Sequence, residues 1–517
     1  MLYFKAISPE SFKKWLSNDR ENIVLFRLAI IISAMEFIWM KILYPFPNFM
    51  PPDSNSYLEA AYLNQFINSW AIGYSKFLRL VSSFSNSHFF LVLLQYIILQ
   101  CCTLYFLLSI RYLLSPQKWV FRALLFISLG NPLLVHISNF VSSDGLFISL
   151  SFLWLAQLLW IVYNPTTSVL FSHAIIILLA FMVRYTAIYY PVISILIIAT
   201  SSATSKTKYL SIGLIVALIG LFVGRSAYEY KVKTNTIQYS AFAGWQMASN
   251  ALYGYAFAKP DAVEEVPMQF RKLHAIVNRQ MESLKKYPVF LRPDHEVAVY
   301  YLWDFNSPLR LYMNSLFPKK ISESEYFYYW AKMAPLYASY GKFLIKRHPI
   351  EFAEYYLWPN FLKYFSPPVK FMGIYNMKNK TVEPVVVNWF GWKDNSLPSL
   401  LKDKEINITK VFQIVFGTTN IVFILGFIAF LLLDGFKVCT TVIKKMIWLI
   451  FLVWILNLIF SVFAAPIELR YEIFPLIILL CFSGLFMSYV VSSSRNAKAL
   501  DLSSLREHRE TNIQESL

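Results

Sequence analysis

Long apolar runs alternate with short polar turns along most of this chain, and the runs have the length of a bilayer crossing. A spanning helix needs about 20 mostly apolar residues. Ten segments meet or approach that length: 22–43, 88–109, 119–138, 145–163, 168–183, 186–200, 209–228, 410–433, 446–464 and 472–492. The fifth and sixth are short and meet at Arg184-Tyr185. Gly130-Asn131-Pro132 inside the third predicts a kink. The expected fold is an α-helical polytopic membrane protein with about ten transmembrane helices.

Two polar stretches break this rhythm. In the loop 44–87, Tyr74, Phe77, Leu78 and Val81 recur at helical spacing, with Lys76 and Arg79 off that face. The pattern predicts a short amphipathic helix lying in the membrane surface. Ser56-Tyr57-Leu58-Glu59 has capping-box spacing and predicts another helix starting there. The second stretch, 229–409, is long enough for a domain. Within it, 347–356 reads as a helix with Pro349 in its first turn. The expected organisation is an N-terminal transmembrane module 1–228, a mostly helical insert 229–409, a C-terminal transmembrane module 410–492 and a loosely ordered polar tail 493–517.

Composition agrees. Hydrophobic residues make up 57% of the chain and charged residues 15%, against about 25% charged in a soluble domain. Mean hydropathy is +0.48. The cysteines, Cys101, Cys102, Cys439 and Cys481, sit in or beside the apolar runs and form no CxxC, which argues against a disulfide framework or a thiolate zinc site. No cleavable leader is expected. The net charge of +17 falls largely in short loops, where topology accounts for it, and no nucleic-acid-binding motif accompanies it. Lys13, Lys14, Arg111, Lys118, Lys206, Lys208, Lys437, Lys444 and Lys445 gather on one side of the threaded chain, with few cations opposite. By the positive-inside rule both termini are expected in the cytoplasm, with 44–87 and 229–409 outside.

That threading puts Asp53, Asp144, Arg184, Glu468 and Arg470 at the same outer face. Charges at the lipid boundary are costly, so several on one face point to a polar site. Asp53 is a candidate general base; its bland reading is a cap in Pro51-Pro52-Asp53-Ser54. Asp144 is a second acidic candidate, positioning an acceptor or helping Asp53 hold a divalent cation; alternatively it is the N-cap of its span. Mg²⁺ or Mn²⁺ would need further oxygen ligands, and metal dependence stays open. Arg184 and Arg470 suit a phosphate bidentately, or snorkel to anchor their helices. Glu468 supports or simply pairs with Arg470. Glu36 lies within the first run and is either functional or buried against polar neighbours. His136 is read as packing before phosphate binding. Asp294-His295-Glu296 is read as a solvated surface, because adjacent helical residues share no face. The many aromatic residues of the insert either stack on sugars or form core and interface anchors. Asn379-Lys380-Thr381 and Asn407-Ile408-Thr409 fit glycosylation sequons, which arise easily by chance.

Asp53 shortly before Tyr57 in the first outer loop, Ser142-Ser143-Asp144-Gly145-Leu146-Phe147 opening a span, and Arg470-Tyr471 before Pro475 and a last helix together resemble the GT-C superfamily of integral membrane glycosyltransferases. The nearest likeness is to the bacterial branch related to protein mannosyltransferases and lipid A aminoarabinose transferases. The resemblance implies a GT-C-like fold and an inverting transfer from a polyprenyl-phosphate-linked sugar at the outer membrane face. The acceptor would be lipid, glycan or protein. Asp53 then matches the catalytic acid position, Asp144 the second acidic position and Arg470 the basic position near the donor phosphate. Asp53-Ser54 departs from the paired Asp-Glu of the protein mannosyltransferases, which puts a protein acceptor in doubt. Tyr301-Leu302-Trp303-Asp304 is not the motif of oligosaccharyltransferases. The expected location is a bacterial inner membrane. A flippase for a lipid-linked saccharide, or a polysaccharide polymerase or ligase of another fold, is the alternative; a transporter ordinarily carries its polar residues at mid-membrane.

Overall fold

The computed structural model describes residues 11–317, 323–401 and 405–514. Among these the regular structure is helical, with three isolated β-bridges and no strand. Eight helices are long and apolar enough to cross a membrane: Arg20–Leu43, His88–Leu114, Lys118–Ser138, Ser143–Tyr163, Ser205–Thr234, Asn407–Leu432, Thr441–Ala464 and Ile473–Ser494. Thr167–Val183 and Tyr185–Thr200 are shorter apolar helices meeting at Arg184, as the sequence suggests. The third span breaks between Leu129 and Pro132, where the kink is expected.

Local chemistry sets several helix starts. Side-chain oxygens of Ser87, Ser142, Thr166, Thr204 and Thr440 accept from backbone N–H groups of their first turns, satisfying donors that lipid could not. Packing then sorts the helices. Ile473–Ser494 and Ser143–Tyr163 are central, with 78% and 72% of their apolar windows buried, whereas Ser205–Thr234 has 17%. Ile30, Met35 and Trp39 on the Arg20–Leu43 helix are among the exposed large side chains. Without water to exclude, such a surface is stable only against lipid.

The insert carries its own apolar core. The Ala241–Tyr255 and Glu323–Arg347 helices cross so closely that a Cβ on Gly341 would lie 2.7 Å from the Met247 carbonyl. Trp245 stacks on Trp330 at 5.4 Å, beside buried Tyr337 and Tyr340. Many of the insert's aromatic residues are buried core, and others pack against it half-buried.

Several expectations need correction. The helix expected from Ser56 begins at Asp53, and Pro52, which precedes it, offers no side-chain cap; Ser56 bonds Asn68 instead. The Gly73–Ser82 helix exists, but Tyr74, Leu78 and Val81 are buried against protein, packed with Phe49, Tyr57 and Phe390, not laid on lipid. The helical run from Pro349 has proline at its start as expected, then passes through a π-turn over Ala353–Leu357. The last helix runs unbroken from Ile473 to Gln514, past the boundary at 493 expected for it. Asp294 is not solvated; it is 2% exposed and bonds Arg292 and Tyr301, while Glu296 pairs with Lys363.

Candidate functional site

Four distant turns of the chain meet at one cavity. The first is the segment before Asp53. It is sewn to the third apolar segment by Asn48 N donating to Asn139 O (2.8 Å) and Val141 N donating to Asn48 O (3.0 Å). Ser54 Oγ also donates to Val141 O at 2.8 Å. These bonds hold Asp53 beside the start of the Ser143–Tyr163 helix. The Gly73–Ser82 helix leans on the end of the Thr167–Val183 helix so closely that a Cβ on Gly73 would meet the Met182 carbonyl at 2.5 Å. The fourth turn, before the last helix, is held by Asn360, whose Oδ1 accepts from Ile467 N (2.9 Å) and whose Nδ2 donates to Ala465 O (2.8 Å). Leu469 N donates to Pro368 O.

Arg470 is the hub. Its Nε donates to Glu468 Oε2 at 2.8 Å, and its Nη2 to Tyr471 Oη at 2.6 Å. Its Nη1 lies 3.3 Å from Asp144 Oδ2 and 3.6 Å from Asp53 Oδ2. Arg184 pairs with the other oxygen of Asp144 and lies over the Tyr471 ring at 4.8 Å. Tyr57 Oη and Ser143 Oγ are hydrogen-bonded at 3.0 Å. Buried charges persist only when paired and hydrogen-bonded, and this network pairs them. Asp144 is not the cap of its helix: Ser142 is, leaving the Asp144 carboxylate for the two arginines. The arginines do not simply snorkel, since Arg470 is 9% exposed and bonded on all sides.

Burial pushes the Asp53 carboxyl up to about 6, although Arg470 and Arg184 pull it down. Burial pushes the Tyr57 phenol up to about 12, with the Asp53 charge adding to it. Burial draws the Arg470 guanidinium down, but Tyr471, Glu468 and Asp53 outweigh it and hold Arg470 above its ordinary value. Burial thus favours the neutral form of Asp53, while Arg470 stays charged.

The cavity has a volume of about 400 Å³. Asp53, Tyr57, Asp144, Arg184, Glu468 and Arg470 all line it. Trp70 of the first loop and Phe242 and Trp303 of the insert add aromatic walls, so a minority of the insert's aromatic residues do face the site. Tyr189, Asn457, Ser461 and Glu472, which residue order did not single out, also line it. The signal for Glu472 was present: it stands four residues after Glu468 in the same run.

Glu36 and His136 lie elsewhere. Tyr96 Oη donates to Glu36 Oε2 at 3.1 Å, and His136 is buried with its ring against Tyr44. A divalent cation does not fit the donors as they stand. Arg470 Nη1 occupies the space Asp53 and Asp144 would share with a metal, and no cluster of three His, Cys, Asp or Glu suited to a metal occurs among the described residues.

Fold and cavity together define an α-helical integral membrane protein with a buried, charged pocket where several apolar helices end. Compared with protein-family models, curated proteins and solved structures, the chain matches none.

Proposed function

We propose that this protein is a GT-C-like membrane glycosyltransferase, with about ten spans counting the two short helices. It moves a sugar from a polyprenyl-phosphate carrier to an acceptor hydroxyl at the extracytoplasmic face, with inversion. The observation that carries the reading is the Asp53–Arg470–Asp144 bridge inside one cavity. Solvation of three carboxylates and two guanidiniums is given up there, a cost a structural turn does not require.

The chemistry follows from the groups present. The acceptor oxygen bonds to the anomeric carbon from the face opposite the phosphate, and its proton passes to Asp53. The bond from the anomeric carbon to the phosphate oxygen breaks, and its electron pair leaves on the prenyl phosphate. Asp53, Asp144 and Glu468 exceed Arg184 and Arg470 by one formal charge. Protonation of Asp53 removes that excess as negative charge develops on the leaving phosphate. Arg184 is the better phosphate ligand of the two arginines. Its one side-chain hydrogen bond among the described residues uses Nη1, leaving Nε and Nη2 for phosphate oxygens. Arg470 orients the carboxylates. The prenyl chain lies in lipid between spans, and the insert shapes the acceptor side.

Mass spectrometry of lipid co-purified with the protein, followed by transfer assays with that lipid, tests the reading. A prenyl-phosphate sugar is expected, with radiolabel passing to an acceptor. Movement of the intact lipid-linked sugar across liposomes without any bond change would instead establish a flippase.

A further inference from the structure

Glu472 is a buried carboxyl with no local reason to be there. It is 0% exposed, and neither Oε1 nor Oε2 has a hydrogen-bond partner among the described residues. It stands directly before the last helix, where its carbonyl accepts from Leu476 N at 2.9 Å. A carboxylate at that position ordinarily accepts from free N–H groups of the first turn and gains from the helix dipole. Glu472 accepts no such bond among the described residues. The Ser461 hydroxyl is near enough to act on it, without forming a bond of good geometry. An unsatisfied buried acid costs stability, so its retention calls for a ligand that satisfies it.

The surroundings indicate which kind. Glu472 belongs to the cavity lining with Tyr189, Asn457 and Ser461. Asn457 Nδ2 donates to Tyr189 Oη at 3.3 Å and its Oδ1 accepts from Tyr364 Oη at 3.0 Å. Phe460, Phe474 and Tyr190 add apolar ring surface beside these groups. A hydrogen-bonding group set among aromatic faces suits a pyranose, whose edge is hydroxylated and whose faces carry C–H bonds. About 400 Å³ is at the small end of ligand pockets, which favours a single sugar ring over an oligosaccharide.

We propose that Glu472, supported by Asn457 and Tyr189, bonds a hydroxyl of the transferred sugar and so determines which sugar the cavity accepts. The inference rests on the glycosyltransferase reading above and adds to it the recognition of the sugar ring. Glu472 is fully buried in the ligand-free chain although it belongs to the cavity lining, so sugar binding must displace the side chain that covers it. Glu472 takes no part in bond making. It discriminates, because a site built around a substrate hydroxyl rejects the analogue lacking it.

The test uses the full chain in detergent. The probes are a short-chain prenyl phosphate and its glucosyl, galactosyl, mannosyl and xylosyl derivatives, titrated calorimetrically into wild type, Glu472→Gln and Glu472→Leu. In wild type at least one glycosyl derivative binds about tenfold or more tighter than bare prenyl phosphate. Glu472→Leu abolishes that increment and leaves bare prenyl phosphate affinity unchanged; Glu472→Gln keeps part of it. Ligand-free Glu472→Leu melts at or above the wild-type temperature, since no hydrogen bond of good geometry is lost and an unsatisfied buried acid is removed. A preserved sugar increment in Glu472→Leu, or a lower melting temperature of that variant without ligand, overturns the proposal. If wild type binds bare prenyl phosphate but no glycosyl derivative better, the Glu472 inference alone falls. If it binds no prenyl phosphate at all, the glycosyltransferase reading falls and takes this inference with it.

Discussion

Arg470 Nη1 lies 3.3 Å from Asp144 Oδ2, across 326 residues of chain. One guanidinium thereby ties the turn before the last helix to the start of the Ser143–Tyr163 helix, and the same nitrogen faces Asp53. Structure and chemistry are coupled at this one group, and the variants below separate them.

Asp53→Asn removes the proposed base while keeping the side-chain shape. Sugar transfer from a prenyl-linked donor is expected to fall by about 10²–10⁴-fold, the range for a lost general base. The variant should remain folded by size exclusion and melting temperature. Full turnover by a properly folded Asp53→Asn protein would remove Asp53 from the mechanism.

Because burial holds the Asp53 carboxyl at about 6 against an ordinary 3.8, the acid limb of kcat/KM should have its midpoint near pH 6 and activity should rise from pH 5 to 7. The sign for stability is opposite. The folded state binds this proton more tightly than the unfolded chain does, so the Asp53 contribution is most favourable below the ordinary value and diminishes as pH rises through about 6. A kcat/KM profile whose acid limb stays flat down to pH 4.5 contradicts the assignment.

Arg470 and Arg184 should respond differently. Arg470→Met strands Asp53, Asp144 and Glu468 with one remaining arginine and should destabilise the protein by about 3–5 kcal/mol, as removal of one partner from a buried pair does. Arg184→Gln leaves the Arg470 bridge standing. It should keep most of the melting temperature and weaken prenyl phosphate binding by about tenfold or more. Equal loss of stability in the two variants would show that Arg184 is structural.

The insert's helix crossing gives a control away from the cavity. Gly341→Leu forces a side chain against the Met247 backbone and should cost about 1–3 kcal/mol by overpacking. Thermal unfolding followed by tryptophan fluorescence reads this through Trp245 and Trp330, which stack in the same core. An unchanged unfolding curve would mean that the crossing opens easily.

Much of this architecture is local and was therefore legible in residue order. The run 88–109 must be a helix because its apolar length matches a bilayer, and Pro132 must break its helix because proline lacks the N–H a continuing helix needs. The junction at Arg184 was readable for the same reason. Elsewhere a local rule competed with a distant contact and lost. Ser56 could have capped a helix but bonds Asn68, and Asp144 could have capped its span but answers to Arg184 and Arg470. Asp294 looked like part of a charged surface until Arg292 and Tyr301 enclosed it.

What residue order alone determined was the set of apolar helices, the breaks between them and the short roster of charged residues near their ends. Bilayer thickness and backbone hydrogen bonding act within a few turns of chain, so these features need no partner. Tertiary structure alone decided that Asp53, Asp144, Arg184, Glu468 and Arg470 share one cavity, that Glu472 joins them, and that aromatic residues such as Trp245, Trp330 and Tyr337 form the insert's core. Those outcomes depend on contacts between segments tens to hundreds of residues apart, whose spacing is set by packing and carries no periodic trace in the chain.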